Sequence, residues 1–265
     1  VDLQLQGKVA LVTGGSRGIG KAIAEKLLDE GVRVAIAARN QSRLTDTVTQ
    51  LDKKYTGQIS GYICDTRDLS TIQQMVSEIT TRWGDISILV NNAAEPGGPR
   101  PALSEISWEE HLLPQVDTKV MGYLRCAQIV APLMKKSNWG RIINISGMQA
   151  RNSGSAVGSI RNVAVAALTK NLADELGPSG ITVSCIHPGL TRTEATESRI
   201  REQMEQKNKT RTEIESELSN QNSIRKLVDA SDVAALVTFL ASPLSVAVTG
   251  EVIAAGGGVG TGIYY

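Results

Sequence analysis

The segment Thr13-Gly14-Gly15-Ser16-Arg17-Gly18-Ile19-Gly20 has residue types and spacing suited to holding an anion. Lys8–Thr13 before it is a short apolar run that reads as a buried parallel strand. Gly18–Glu30 after it carries Ile23, Leu27 and Leu28 on one face and stops at Gly31, which reads as a helix. At such a junction Gly14 permits a tight turn. Gly18 and Gly20 let the backbone approach a pyrophosphate and let helix and strand pack. The helix N-terminus adds N–H groups and partial positive charge, and Ser16, Arg17 and Ile19 complete the loop. The chemistry on offer is dinucleotide binding. Which dinucleotide turns on the end of the second strand, Val32–Ala38, where sites for NAD often place an acid against the ribose 2′-hydroxyl. Here the residues are Ala37-Ala38-Arg39, and Arg39 with Arg17 would flank a 2′-phosphate. NADP(H) is expected in preference to NAD(H); for Arg39 the alternative is an ordinary surface arginine.

The elements that must position this loop alternate along the chain. Helices are expected over Gln41–Lys54, Asp68–Trp83, Ser107–Lys136, Ala156–Gly177 and Asp232–Leu240. Strands are expected over Ile59–Cys64, Ile86–Val90, Arg141–Ile145, Ile181–Ile186 and Glu251–Ala255. Pro114 should kink the long fourth helix or delay its start. Such alternation implies parallel strands joined by right-handed crossovers, so the fold class is α/β: one doubly wound parallel sheet of Rossmann type, spanning 1–265 as a single domain. The densely charged stretch Thr191–Asn222 stands apart. Its pairs Ile200/Met204 and Ile214/Leu218 fit two helices with narrow apolar stripes. It follows a strand's carboxyl end, so it reads as a lid over the site, with a solvated helical hairpin as the alternative.

Composition narrows the rest. A net charge of +1 gives no field to attract nucleic acid or anionic lipid. No apolar stretch is long enough to span a bilayer, and Val1–Lys8 lacks the pattern of a signal peptide, so a cytoplasmic protein is expected. Cys64, Cys126 and Cys185 are too scattered for a metal site and read as reduced, buried thiols.

With these motifs in place the chain resembles the short-chain dehydrogenase/reductase family over nearly its whole length. The glycine motif is that family's. Asp65 after the third strand looks like its adenine-contacting position. Asn91-Asn92-Ala93-Ala94 resembles its Asn-Asn-Ala-Gly signature, and His187-Pro188-Gly189-Leu190-Thr191-Arg192-Thr193 its Pro-Gly segment. The resemblance implies that Asn92, Ala93, Pro188, Gly189, Thr191 and Thr193 serve the cofactor, Thr193 by holding the nicotinamide amide. It also implies a homodimer or homotetramer packed through Ser107–Lys136 and Ala156–Gly177.

The family's chemistry uses a tyrosine as proton donor, a lysine four residues later, a serine and an asparagine. Leu168-Thr169-Lys170-Asn171 sets a register that puts Gly158 at the tyrosine position and Asn162 at the lysine position. Register error cannot restore the pair, since there is no tyrosine between Tyr123 and Tyr264 and no lysine between Lys136 and Lys170. Gly147 takes the serine position, with Ser146 one residue before, and Lys119 takes the asparagine position. Lysine and asparagine are thus exchanged. Lys119, Ser146 and Asn162 are the catalytic candidates, with Lys119 as the site's cation and proton donor, its pKa lowered by burial. The alternative is a lysine that snorkels to solvent. Arg151 and Arg161 are candidates for binding a substrate anion or are surface arginines; His111 reads as a surface residue and His187 as structural. Tyr264-Tyr265 would be a remote source of a replacement phenol. The leading expectation is an NADP(H)-dependent oxidoreductase with an unusual proton path, acting on a small carbonyl or alcohol. A non-redox lyase, isomerase or hydratase, or a silent nucleotide sensor, stand as alternatives.

Overall fold

The computed structural model describes residues 1–95 and 101–263. In chain order the elements are β1 (Val9–Thr13), α1 (Gly18–Asp29), β2 (Arg33–Ala38), α2 (Gln41–Asp52), β3 (Ile59–Ile63), α3 (Leu69–Trp83) and β4 (Ile88–Asn91). Next come α4 (Leu113–Val116), α5 (Gly122–Lys136), β5 (Gly140–Ile145), α6 (Ala156–Leu176) and β6 (Ile181–Pro188). β7 (Thr191–Arg192), α7 (Glu194–Lys207), α8 (Arg211–Ser219), β8 (Val228–Asp229), α9 (Ala230–Leu240) and β9 (Val252–Ala255) complete the chain. Seven strands form one parallel sheet in the order β3-β2-β1-β4-β5-β6-β9. This is the doubly wound architecture expected. The two-residue strands β7 and β8 form a separate pair that the sequence did not suggest.

Alternation along each strand splits the core into two layers. Ala10 and Val12 of β1 face a cluster with Ile23 and Leu27 of α1, Leu44 of α2 and Val233 of α9. Val9 and Leu11 face the other side, with Ile72 of α3, Cys126 of α5 and Leu172 of α6. Because helices cover both faces, the central strands are apolar throughout instead of alternating with polar residues. Helix starts follow side-chain chemistry: Asn40 accepts from the Arg43 N–H, and Asp68 from the Ser70 N–H. Cys64, Cys126 and Cys185 are buried free thiols.

The long helix expected over Ser107–Lys136 is helical but not uniform. Two wide π-helical turns, Trp108–Leu112 and Asp117–Met121, flank α4. Pro114 sits in the first turn of α4, where its missing N–H costs little. The second wide turn contains Lys119, and such turns gather at functional sites. The charged stretch forms the two expected helices, α7 and α8, whose Ile200, Ile214 and Leu218 pack as a small core of their own with Met204 beside them. Among the described residues no helix is long and apolar enough to cross a membrane. Tyr264 and Tyr265 lie outside the described residues.

Candidate active site

A cleft of about 780 Å³ lies at the carboxyl ends of β1 and β4. β1 connects outward to β2 on one side while β4 opens the other half of the sheet, so this is where strand order reverses and where open α/β sheets bind ligands. Gly14, Ser16, Arg17, Gly18, Ile19 and Gly20 line its floor, and Arg39 and Asp65 line the side next to β2 and β3. Asn92, Ala93 and Thr193 line it as well. Pro188, Gly189 and Thr191 do not. Pro188 ends β6, a Cβ on Gly189 would lie 2.6 Å from the Gly256 Cα, and the Thr191 hydroxyl donates to the Gly189 carbonyl at 3.1 Å.

The cradle fits a dinucleotide. Gly14 has φ +66°, a conformation that favours glycine. A Cβ on Gly20 would lie 2.3 Å from the Gly14 carbonyl oxygen, so only glycine lets α1 start this close to the loop. Asn92 holds that geometry from behind. Its amide donates to the carbonyls of Thr13 and Gly14 at 3.1 and 3.0 Å, and the Thr13 hydroxyl accepts from the backbone N–H groups of Asn92 and Ala93. The side chain of Asn92 therefore joins the ends of β1 and β4. The Thr193 hydroxyl accepts from the Thr196 N–H at 3.4 Å and caps α7.

Two acids that sequence reasoning missed stand in this cleft. Glu95 forms a bidentate pair with Arg39, at 2.7 and 3.1 Å, and accepts from the Thr118 hydroxyl at 3.2 Å. The hydrogen bond from Arg39 holds its carboxyl below the usual glutamate range. Glu194, the first residue of α7, accepts from the Gly18 N–H at 3.1 Å. Asp65 is paired with Arg67.

The three catalytic candidates come together. The Lys119 ammonium donates to Asn162 Oδ1 at 3.0 Å and to the Ser146 carbonyl at 2.9 Å. The Ser146 hydroxyl donates to the Asn162 carbonyl at 2.9 Å. Lys119 is 4% exposed and does not snorkel to solvent. Burial, with help from the nearby Arg161 charge, brings its pKa down to about 7. Thr118, its neighbour in the wide turn, lines the cleft, so the wide turn joins the nucleotide site to this triad.

Other sequence candidates take positions around the triad. Arg161 donates to the Gln115 side chain and, at 3.5 Å, to the Glu95 carbonyl. Arg151 donates to the Val252 carbonyl. His111 Nδ1 accepts from the Ser107 N–H beside the first wide turn. His187 is 2% exposed, and burial lowers its pKa to about 4, so it stays neutral. The Tyr123 hydroxyl is fully buried and donates to the Ile145 carbonyl at 2.9 Å. A Cβ on Gly158 would meet Gln149 Oε1 at 2.0 Å, the far end of a flexible side chain that would have to move aside.

Residues 14–260 match the family model described as enoyl-(acyl carrier protein) reductase. The short-chain reductase protein NovJ of Streptomyces niveus is 33% identical over 96% of this chain and 94% of its own. The chain belongs to the short-chain dehydrogenase/reductase family. Another member, the 3-oxoacyl-[acyl-carrier-protein] reductase FabG of Aquifex aeolicus, is 34% identical over 98% of this chain and 100% of its own. The crystal structure of L-sorbose reductase from Gluconobacter frateurii, complexed with NADPH and L-sorbose, superposes with a TM-score of 0.92 at 25% identity. That superposition covers 99% of this chain and 100% of the other.

Proposed function

We propose that this short-chain dehydrogenase/reductase is an NADP(H)-dependent oxidoreductase of small carbonyl or alcohol compounds that works without the Tyr-x-x-x-Lys pair. The observation that carries the reading is the contact of Lys119 with Asn162, where Lys119 directly follows the cleft-lining Thr118. The nucleotide half rests on the glycine cradle, on Arg39 and Arg17, and on relatives that are named reductases or hold NADPH. The backbone at Gly18–Gly20 would hold the pyrophosphate, Arg17 and Arg39 the 2′-phosphate, and Thr193 the nicotinamide end. When bound, the cofactor supplies the hydride.

The chain's own residues then manage the substrate oxygen. Two of the three ammonium donors of Lys119 are engaged, by Asn162 and by the Ser146 carbonyl, which leaves one donor for a substrate oxygen. A pKa of about 7 lets the same nitrogen give a proton in reduction and take one in oxidation near neutral pH. Asn162 and Ser146 are positioning residues that aim the ammonium. The helices α7 and α8 act as a lid. The exposed apolar side chains of Trp108, Leu113, Met121, Ile160 and Val163 on α4, α6 and the wide turns support a homo-oligomer packed through these helices.

The test is a screen of aldehydes, ketones and diketones that follows NADPH absorbance with wild type and Lys119→Met. Substrate-dependent NADPH oxidation by wild type, lost in the variant, is the expected result. Product formed without any change in NADPH would replace this reading with a non-redox one.

A further inference from the structure

Two of the three acids that line the cleft, Glu95 and Glu194, stand on groups suited to phosphate. In the sheet, β1 lies between β2 and β4. Arg39 follows β2 and Glu95 follows β4, so their ion pair reaches across the carboxyl end of β1, over the mouth of the cleft. Glu95 is held there by both nitrogens of the Arg39 fork and by the Thr118 hydroxyl. The second acid, Glu194, places Oε2 on the Gly18 N–H, the first N–H of α1 and the centre of its positive end. One carboxylate thus sits on the guanidinium suited to a 2′-phosphate, and the other on the amide suited to a pyrophosphate.

We propose that Glu95 and Glu194 are internal competitors for the cofactor's phosphates, and that Glu95 sets how strongly NADP(H) is preferred over NAD(H). The proposal rests on the reading that this cleft binds NADP(H). A 2′-phosphate reaching Arg39 meets the Glu95 carboxylate and must share the guanidinium or displace it. NADH carries no such phosphate and leaves the pair intact, so Glu95 weakens NADPH binding selectively. Glu194 faces a group common to both cofactors and weakens both alike. Because Glu194 begins α7, its contact with the Gly18 N–H ties the first turn of α7 to the start of α1. The contacts are only partly buried: side-chain exposure is 45% for Arg39 and 19% for Glu95. Effects of a few-fold are therefore expected, not orders of magnitude.

The experiment is equilibrium titration of the full chain with NADPH and, separately, NADH, for wild type, Glu95→Gln and Glu194→Gln. Glu95→Gln is expected to tighten NADPH about two- to fivefold and leave NADH unchanged. Glu194→Gln is expected to tighten both by a similar factor, about two- to fivefold. A merely structural role for Glu95 would move both cofactors together. An unchanged NADPH-to-NADH ratio in Glu95→Gln, with wild type binding NADPH, overturns the proposal alone. Failure of wild type to bind either nucleotide overturns the NADP(H) reading, and the proposal with it.

Discussion

Lys119 and Asn162 meet beyond the end of β5, the ammonium 3.0 Å from the amide oxygen, although they lie on different helical segments 43 residues apart. In the reading proposed above, register against the family puts lysine where this pair has asparagine and asparagine where it has lysine. On that proposal the exchange keeps one cation and one amide in contact and reverses the helix each comes from. Asn162 is 2% exposed and Lys119 4%, so neither side chain is on the surface by default. A buried ammonium needs acceptors, and the Ser146 carbonyl and Asn162 Oδ1 supply them.

Lys119 makes stability depend on pH. Burial holds its folded pKa at about 7, below the ordinary lysine value of 10.5. Between those values the unfolded chain binds the extra proton, so stability rises with pH across that window and is lowest below it. Wild type should gain on the order of a few kcal/mol between pH 7 and pH 10 relative to Lys119→Met. Paired denaturant titrations check this; parallel pH profiles of the two proteins would mean that the ammonium is not held in a desolvated place.

His187 acts in the acid range. Its folded pKa of about 4 lies below the ordinary value of 6.5, through desolvation first and the Arg151 and Lys119 charges second. The unfolded state therefore takes up the proton first, and stability is lost as pH falls from about 6.5 toward about 4. His187→Gln should show a shallower loss over that window in thermal melts. An unchanged acid limb would assign the loss to other groups.

Tyr123 separates a structural phenol from a catalytic one. Its hydroxyl is fully buried and burial pushes its pKa well above the ordinary tyrosine range. Tyr123→Phe should cost about 1 kcal/mol through the lost bond to Ile145 and keep turnover within about threefold. A loss of about a hundredfold or more would instead make Tyr123 the proton donor.

The proposed lid, α7 and α8, is tied down by a charge network. Arg192 pairs with Glu197, Glu215 and Asp229, and Arg211 pairs with the same two glutamates. Each pair is partly exposed, so each is weak on its own and screened by salt. Arg192→Met should raise proteolytic cleavage within residues 194–219 several-fold with little change in the global melting temperature, and high salt should do the same to wild type. Equal cleavage in both proteins at low salt would show that packing of Ile200, Ile214 and Leu218 holds the lid without the charges.

Most elements were legible because helix and strand periods are local. Runs such as Val9–Thr13, stopped by glycine, have few other readings, and Ile200/Met204 marks its helix by spacing alone. What was illegible depends on tertiary approach. Glu95 meets Arg39 across 56 residues of chain, and Glu194 meets Gly18 across 176. The available signal was an acid directly after Asn91-Asn92-Ala93-Ala94, opposite the arginine that ends the second strand. Asn92, expected to serve the cofactor, lines the cleft, and its side chain also joins the ends of β1 and β4. The wide turn at Asp117–Met121 left no mark in composition; Pro114 drew attention to a kink one turn too early.

The most direct test of the account is the pH dependence of substrate-linked NADPH oxidation by wild type and Lys119→Met, using whichever carbonyl probe the screen finds. If Lys119 is the proton donor, the wild-type reduction rate is high below about pH 7 and falls as pH rises through that value, while oxidation of the matching alcohol rises through it. Lys119→Met should lose about 10²–10⁴-fold in turnover at neutral pH while still binding NADPH. Wild-type turnover that keeps its pH profile in Lys119→Met would contradict the account.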